Sequence, residues 1–390
     1  MRRAGRGSRP NRLVLVWAVC TALGLGACSG GNAPATRAPT PVGVWRPIAA
    51  GPLEPRIFAA NVWTGRELVV WGGRGCAPAG CEDESAARFA DGAAYDPAAD
   101  SWRRLATAPI AGRTAATAVW TGAEMVVWGG TGPDQAPLSD GAAYDPATDS
   151  WRPLAPSPLV TRTFRATWTG TEILAWGSRD PAGEVAEGAA YDPATDAWRP
   201  LAPSPLSPRV LPASDWTGTE VLVWGGQSGD DYLADGAAYD PATDAWRPMA
   251  PSPLSARATR GLWSGTELLV WGGEAPAAAF ADGAAYDPAT DAWRALAEAP
   301  LVARRGFASA WTGAEMVVWG GAVATGPSFL GNGALYDPAR DVWRRTASTA
   351  SRFIPMVQWT GRELLVVGGL VLNADASAVV PSAGGAVLTP

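Results

Sequence analysis

The chain has 390 residues with 31 basic and 37 acidic side chains, and it contains neither histidine nor lysine, so that every basic residue is Arg. The lack of histidine excludes a Ser-His-Asp triad, a His-ligated metal site and imidazole acid–base catalysis, and the lack of lysine excludes Schiff-base chemistry. Hydrophobic residues make up 47% of the chain, which argues against a collagen-like or wholly disordered protein in spite of 46 Gly and 35 Pro. The 21 Trp are out of proportion to 7 Tyr and 7 Phe.

The N-terminal segment has the pattern of an export signal. Residues 1–12 contain five Arg and no acidic residue, and the apolar run from Leu13 to Ala27 is short for a membrane span. The run ends in Leu25-Gly26-Ala27-Cys28, which resembles a bacterial lipobox. We therefore predict cleavage before Cys28 and lipidation of that cysteine; an ordinary signal peptide with a chance cysteine is the alternative interpretation.

These features predict three parts of the chain: a lipoprotein signal peptide at 1–27, a flexible tether at 28–42 and a folded domain at 43–390. Removal of the signal takes the formal net charge from −6 to −11, because the signal carries five Arg and no acidic residue. A negative net charge argues against nucleic acid or an anionic lipid surface as partner. The lipid anchor is thus the only membrane contact that we expect, on the outer side of a bacterial membrane, at the cell surface or in the periplasm.

The positions of the cysteines are consistent with export from the cytoplasm. Of the four, Cys20 lies in the signal and Cys28 is the predicted lipidation site, which leaves Cys76 and Cys81. Because exported proteins meet an oxidising compartment, we predict a disulfide that closes this small loop. A metal site of this spacing would need two further soft ligands, which the domain lacks, and two free thiols are the alternative.

A repeat of about 48 residues runs through the domain. Each copy has a Trp-Thr-Gly or Trp-Ser-Gly, then an apolar run that ends in a glycine pair, then Asp-Gly-Ala-Ala-Tyr-Asp-Pro and finally Trp-Arg, with variants. The first Trp of the copies is Trp63, Trp120, Trp168, Trp216, Trp263, Trp311 and Trp359. The apolar runs are short, β-branched and aromatic, and turn residues bound them, which is typical of β-strands joined by hairpins.

The glycine pair followed by a Tyr and a Trp resembles the kelch repeat, over residues 43–390. The resemblance implies an all-β fold, a β-propeller whose blades are four-stranded antiparallel sheets around a central channel. Seven first-strand units are present, but only six Tyr-Asp-Pro units are followed by Trp-Arg. Since Val44-Trp45-Arg46 matches an outer strand without a blade before it, we predict seven blades and a ring closed by this N-terminal strand. Every Trp of the domain lies at a repeat position, which favours packing between blades over a sugar-binding platform.

The loops of a propeller lie on two faces, and here the two differ. The turns Thr-Gly-Xaa-Glu and Asp-Pro-Ala-Thr-Asp are nearly the same in every copy, and we call the face that carries them the uniform face. The loops between strands two and three differ from copy to copy and lie, with the segments between blades, on the variable face. The variable face is predicted to bind a partner, and drift in unconstrained loops is the alternative.

One Arg stands at the start of each innermost strand on the variable face. These ring arginines are Arg56, Arg113, Arg162, Arg209, Arg257, Arg304 and Arg352. The third strands begin on the same face with Asp91, Asp140, Glu187, Asp235, Asp282, Asn332 and Gly384. Two interpretations follow: pairing within each blade, or a partly unpaired ring that binds a carboxylate or phosphate, as the arginines of some kelch proteins that bind acidic peptides do. The best ligand candidates are Arg304 and Arg352, which lack an acid, together with Arg305 and the non-repeat Tyr232.

Two classes of function remain. The first is a monomeric interaction module that binds a protein, peptide or glycan, in particular an anionic one, without a cofactor. The second is a cofactor-independent carbohydrate-active enzyme similar to the kelch sialic-acid mutarotase. The copper-dependent kelch oxidases need histidine ligands, so the chain is not one of them. No pair of carboxylates suited to catalysis stands out from the repeat, so we expect the first class and no catalytic residue.

Overall fold

A computed structural model describes residues 40–76, 81, 86–159, 165–180, 183–324, 328–376 and 378–390. The predicted signal peptide, Cys28 and the ring residue Arg162 lie outside these ranges, and the side chains of residues 165, 178–180 and 183–187 are not described either. Throughout the described ranges the regular structure is β-strand, and no helix there is long and apolar enough to cross a membrane.

Seven sheets of four antiparallel strands make up the fold. In the first six sheets the strands follow one another in chain order from the innermost to the outermost. The innermost strands of successive sheets contact one another, and that of the seventh also contacts that of the first. The fold is therefore the predicted seven-bladed β-propeller.

The strand bounds follow the repeat. Blade one consists of Ala60–Trp63, Leu68–Trp71, Gly92–Asp96 and Ser101–Arg104. Blade two consists of Thr117–Trp120, Met125–Trp128, Gly141–Asp145 and Ser150–Pro153. Blade three consists of Arg165–Trp168, Ile173–Asp180, Gly183–Asp192 and Ala197–Pro200. Blade four consists of Ala213–Trp216, Val221–Trp224, Gly236–Asp240 and Ala245–Pro248.

The remaining blades have the same order. Blade five consists of Gly261–Trp263, Leu268–Trp271, Gly283–Asp287 and Ala292–Ala295. Blade six consists of Ala308–Trp311, Met316–Trp319, Gly333–Asp337 and Val342–Arg345. Three small hairpins are added in the loops between strands two and three of blades four, five and seven: Gln227–Ser228 with Asp231–Tyr232, Glu274–Ala275 with Ala278–Ala279, and Leu370–Leu372 with Val379–Pro381.

Both ends of the chain build blade seven. Its strands are Met356–Trp359, Leu364–Val367, Gly385–Thr389 and the N-terminal Val44–Pro47. Val44 pairs with Thr389, and the indole N–H of Trp45 donates to the carbonyl of Ala347 at 2.8 Å. The predicted closure by the N-terminal strand is confirmed. Val42, the last residue of the predicted tether, contacts the propeller, because its amide donates to the carbonyl of Arg345 at 2.8 Å.

The hydrophobic core lies between the blades. In blades one to six the Trp before the glycine pair, or before Gly177-Ser178 in blade three, is buried, and its ring contacts the outer-strand Trp of the next blade at centroid distances of 5.0–5.7 Å. These pairs are Trp71–Trp151, Trp128–Trp198, Trp176–Trp246, Trp224–Trp293, Trp271–Trp343 and Trp319–Trp45. Large aromatic surfaces thus hold neighbouring blades together. Between blades seven and one Val367 takes the place of this Trp, and a cavity lies there.

The local turns and the cysteine pair have the predicted form. In the first turn of blade one the amide of Glu67 donates to Thr64 Oγ1 at 2.9 Å, and Gly65 has a φ of +91°. The same bond recurs in the other six copies, so the Thr/Ser-Gly-Xaa-Glu sequence is a tight hairpin turn. Cys76 and Cys81 form the predicted disulfide.

Candidate functional site

Backbone bridges place the variable loops and the ring arginines on the same face. In six blades the residue after the ring Arg pairs with the residue after the glycine pair: Ile57 with Arg74, Thr114 with Thr131, Val210 with Gln227, Ala258 with Glu274, Arg305 with Ala322 and Phe353 with Leu370. The loop between strands two and three therefore starts beside the segment that enters the innermost strand. The variable face is the surface that these loops form.

The ring arginines with described side chains are buried. Their exposed fractions are 3% for Arg56 and 8% for Arg352, and 0% for Arg113, Arg209, Arg257 and Arg304. Each guanidinium donates to the carbonyl of the first Gly of its own blade's glycine pair, at 2.6–3.4 Å. Fully buried cations are rare unless such acceptors surround them.

In four blades a carboxylate is a further hydrogen-bond partner of the ring Arg, beside the carbonyl acceptors. Asp91, Asp140, Asp235 and Asp282 lie 2.7–2.9 Å from Arg56, Arg113, Arg209 and Arg257. Phe89 and Phe280 cover two of these guanidinium groups, at 4.3 Å from Arg56 and 3.8 Å from Arg257. These ion pairs are the ones expected if each ring Arg pairs with an acid of its own blade. They leave almost no guanidinium surface for a ligand in blades one, two, four and five.

The backbone of the ring arginines has a further role between blades. The carbonyl of Arg113 accepts a hydrogen bond from the amide of Gly73 in the preceding blade at 2.8 Å, and the same bond recurs at Arg257, Arg304 and Arg352. Gly72 has a φ of +70°, and a Cβ there would lie 2.9 Å from the carbonyl oxygen of Arg113 in the next blade. The glycine pair is therefore required by the close approach of two blades.

Blades six and seven lack the carboxylate. Asn332 takes its place in blade six, where its Oδ1 and carbonyl oxygens accept from Arg304 at 3.1 and 3.0 Å. Burial without a counter-charge lowers the pKa of Arg304 to about 10. In blade seven Arg352 donates to the carbonyl of Gly368 at 2.6 Å and to Ser382 Oγ at 2.8 Å, and burial lowers its pKa as well.

The structure brings two other predicted residues together. Arg305 forms an ion pair with Glu274 at 3.1 Å, and its guanidinium lies 5.4 Å from the centre of the Phe353 ring. Tyr232 is half-buried beside them: burial and the charge of Glu274 raise its pKa, whereas Arg305 lowers it. Tyr232, Glu274 and Arg305 come from blade four, blade five and the start of blade six, so this cluster spans three blades of the variable face.

Arg260 is a further residue of the variable face, which the repeat pattern did not indicate. It directly precedes the innermost strand of blade five, at the position that Ala60, Ala213 and Ala308 occupy in other blades. Its side chain is exposed to water at the start of this strand. Within the described ranges it has no hydrogen-bond or ion-pair partner. The available sequence signal was a charged residue at a position that is uncharged in five of the seven blades.

The uniform face is held by ion pairs that the sequence reasoning also missed. The Glu of each Thr/Ser-Gly-Xaa-Glu turn lies 2.6–3.1 Å from the Arg of the outer-strand Trp-Arg in its own blade. The pairs are Glu67–Arg103, Glu124–Arg152, Glu172–Arg199, Glu220–Arg247, Glu267–Arg294, Glu315–Arg344 and Glu363–Arg46. These seven carboxylates are therefore structural partners of arginines.

Residues 57–264, more than half of the chain, match the family described as the KLHDC2/KLHL20/DRC7 Kelch-repeats domain. No curated protein matches the chain. In the described residues, no three Cys, Asp or Glu side chains are grouped so that they could hold a metal ion.

Proposed function

The chain belongs to the kelch-repeat family, whose propellers generally mediate protein interactions, and from this we propose that it is a binding module that contacts its partner through the variable face. The observation that carries the proposal is the contrast between the faces. The carboxylates of the uniform face are used in ion pairs that repeat in every blade. The variable face instead carries chain-specific groups, among them Arg260 and the Tyr232–Glu274–Arg305 cluster.

Two apolar side chains support a contact role for this face. Phe58 and Leu211 directly follow the bridge residues Ile57 and Val210, and 46% and 50% of their surface is exposed. Both have a φ of +53°, which costs a bulky residue about 1 kcal/mol or more. The turn itself needs no side chain, because blade six has Gly306 at this position with a φ of +57°. Large apolar groups held exposed at a conformational cost are typical of binding surfaces.

A peptide and glycan array probed with the domain 43–390 tests this proposal. We expect selective binding of particular peptides or glycans. A parallel NMR assay of sugar anomerisation covers the enzymatic alternative, and we expect no acceleration. Catalysis of mutarotation without selective binding would contradict the proposal.

We also propose that the module is exported and lipid-anchored through Cys28 to the outer side of a bacterial membrane. Support comes from the Arg-rich and apolar N-terminal segments, the lipobox-like Leu25-Gly26-Ala27-Cys28 and the disulfide between Cys76 and Cys81, a bond typical of exported proteins.

The variant Cys28→Ala tests the anchor. We expect the protein to move from the membrane fraction to the soluble fraction, because a protein without the lipid loses its only membrane contact. Cys20→Ala is the matched control and is expected to stay with the membrane. Membrane partition of Cys28→Ala equal to that of the wild type would show that the anchor is elsewhere.

A further inference from the structure

The chain that precedes the propeller joins it on the uniform face. In blades one to six a turn on this face connects the third strand to the fourth. In blade seven the third strand, Gly385–Thr389, and the fourth strand, Val44–Pro47, come from opposite ends of the chain. Val44 pairs with Thr389, and a Cβ at Gly43 would lie 2.8 Å from the carbonyl oxygen of Thr389. The N-terminal chain therefore enters the propeller where the turn of blade seven would lie.

Backbone hydrogen bonds fix this entry point. In blade six the Oδ1 of Asp341, two residues before the outer-strand Trp, accepts from the amide of Ala297 at 2.8 Å. Gly43 stands at the corresponding position of blade seven, and here the carbonyl of Val42 accepts from the amide of Ala347 at 2.8 Å. Val42, the last residue of the predicted tether, is thus a fixed point from which the tether leaves the uniform face.

Three additional arginines of the uniform face lie in the blades around this point. The third residue of the Thr/Ser-Gly-Xaa-Glu turn is Arg66 in blade one and Arg362 in blade seven, whereas blades two to six have Ala or Thr. The other turn has Arg340 in blade six, at a position that is Ala or Thr elsewhere. The side chains of Arg66 and Arg340 are 81% and 79% exposed, and Arg362 is exposed as well. We call the uniform face of blades six, seven and one the exit sector.

The exit sector is the least acidic part of the uniform face. In each of blades two to five the two turns and the Arg paired with the turn Glu give a formal charge of −2; in blade two these residues are Glu124, Asp145, Asp149 and Arg152. Arg340 and Arg66 reduce the charge to −1 in blades six and one, and Glu363 with Arg46 and Arg362 gives +1 in blade seven. The exit sector therefore carries −1 in total, against −8 over blades two to five.

We propose that the anchored protein holds the exit sector towards the lipid surface and the variable face away from it, an orientation that rests on the lipid anchor proposed at Cys28. Residues 28–41 span at most about 50 Å even when fully extended, which keeps the entry point at Val42 close to the bilayer. Anionic lipids repel blades two to five more strongly than the exit sector, within a Debye length of about 8 Å at physiological salt. The attachment point thus determines the face, and the charge determines the sector.

This orientation specifies how a partner reaches the variable face. The exposed Phe58 and Leu211 and the Tyr232–Glu274–Arg305 cluster point away from the membrane when the uniform face lies towards it. The partner therefore approaches from the aqueous side, and it is not a lipid of the membrane that carries the anchor.

Energy transfer from a dye on the protein to acceptor-labelled lipid headgroups tests the orientation. The full chain is expressed, and its lipidated form is reconstituted in vesicles of phosphatidylglycerol and phosphatidylethanolamine. Three variants carry the dye at exposed positions: Ala314→Cys in the exit sector, Thr219→Cys on the uniform face of blade four, and Ala374→Cys on the variable face of blade seven. The new thiol is the only free one of the lipidated chain, because its other cysteines carry lipid or form the disulfide.

We expect energy transfer to be largest for Ala314→Cys, smaller for Thr219→Cys and smallest for Ala374→Cys. Salt at 1 M shortens the Debye length to about 3 Å, so it should abolish the difference between the first two variants and leave the third lowest. Transfer from Ala374→Cys that equals or exceeds that from Ala314→Cys would overturn the orientation and leave the anchor at Cys28 intact. A chain that carries no lipid at Cys28 would overturn both proposals.

Charge variants test the exit sector by themselves. One set of three Glu substitutions reverses its additional arginines, and a control set adds three Glu to the same face of other blades. The first set is Arg66→Glu, Arg340→Glu and Arg362→Glu, and the control set is Ala123→Glu, Thr171→Glu and Thr266→Glu. The first set should remove the difference in transfer between Ala314→Cys and Thr219→Cys, and the control set should keep it. A difference that survives the first set, or that is absent without substitutions at physiological salt, would contradict the role of the exit sector.

Discussion

At the scale of single residues, hydrogen bonds of a Tyr, an Asp and a Trp connect a blade to the segment that follows the outer strand of the preceding blade. We call this set of hydrogen bonds the clasp. The hydroxyl of Tyr144 donates to Asp149 Oδ1 at 2.6 Å, and this oxygen also accepts from the amide of Ala106 in blade one at 3.1 Å. The indole of Trp151 donates to the carbonyl of the same Ala106 at 3.0 Å. Asp149 reaches both donors from a left-handed conformation with a φ of +51°, which Asp tolerates well. Six blades contain this clasp.

The clasp predicts the effect of removing one hydroxyl. Tyr144→Phe should lower the free energy of unfolding by about 1–3 kcal/mol, because it removes a buried hydrogen bond to a charged acceptor and leaves Arg103 Nη1 without its 2.9 Å partner. Tyr232→Phe is the control: its hydroxyl has no hydrogen bond within the described residues, and we expect a change within about 0.5 kcal/mol. Urea unfolding measures both. Equal effects of the two substitutions would contradict the clasp.

At the scale of elements, the N-terminal strand is the part of the fold that closes the ring. Trp45 packs on Trp319 at 5.0 Å, as the outer-strand Trp does in five other blades, and Arg46 pairs with Glu363 at 3.1 Å, as the outer-strand Arg does in every other blade. Deletion of residues 43–49 should therefore lower the thermal unfolding midpoint by about 5 °C or more, since a half-buried Trp and four strand pairings are lost. Val44→Ala, at a side chain that is 71% exposed in the same strand, should leave the midpoint unchanged. An unaltered midpoint after the deletion would contradict this closure.

Some features of the blades could be predicted from the sequence and others could not. Blade number and closure were predictable, because Trp45 fits the outer-strand pattern and has no preceding blade. The pairing of Glu67 with Arg103 was not, because these residues are 36 positions apart and meet only when strands one to four lie side by side. The burial of the ring arginines was not predictable either. Asp140 suggested a partner for Arg113, but the carbonyl acceptors that surround Arg113 depend on how the glycine pair folds.

At the scale of the whole molecule, the composition sets the pH dependence of stability. Without His and Lys, and with Cys76 and Cys81 in a disulfide, the described domain has no side chain that ordinarily titrates between about pH 6 and 9. Burial raises the pKa of six tyrosines to about 12: Tyr95, Tyr144, Tyr191, Tyr239, Tyr286 and Tyr336. Unfolded tyrosines ionise near pH 10, so the unfolded state releases these protons first.

The free energy of unfolding should therefore be constant from about pH 6 to 9 and fall as the pH rises from about 10 towards 12. Urea unfolding at each pH measures this, and ultraviolet absorbance of tyrosinate reports ionisation directly. In the folded protein these six tyrosines should titrate with the unfolding transition. Their ionisation near pH 10 without unfolding would contradict the burial and hydrogen bonding described here.

Binding of the partner by the variable face can be tested by array binding of two variants of blade four. One variant replaces the hairpin at 227–232 on the variable face by Asn-Gly, and the other changes Thr219, in the turn of the uniform face, to Ala. We predict that the first loses or changes the array signals of the wild type and that the second keeps them. Loss of binding in Thr219→Ala with retention in the hairpin variant would contradict the claim.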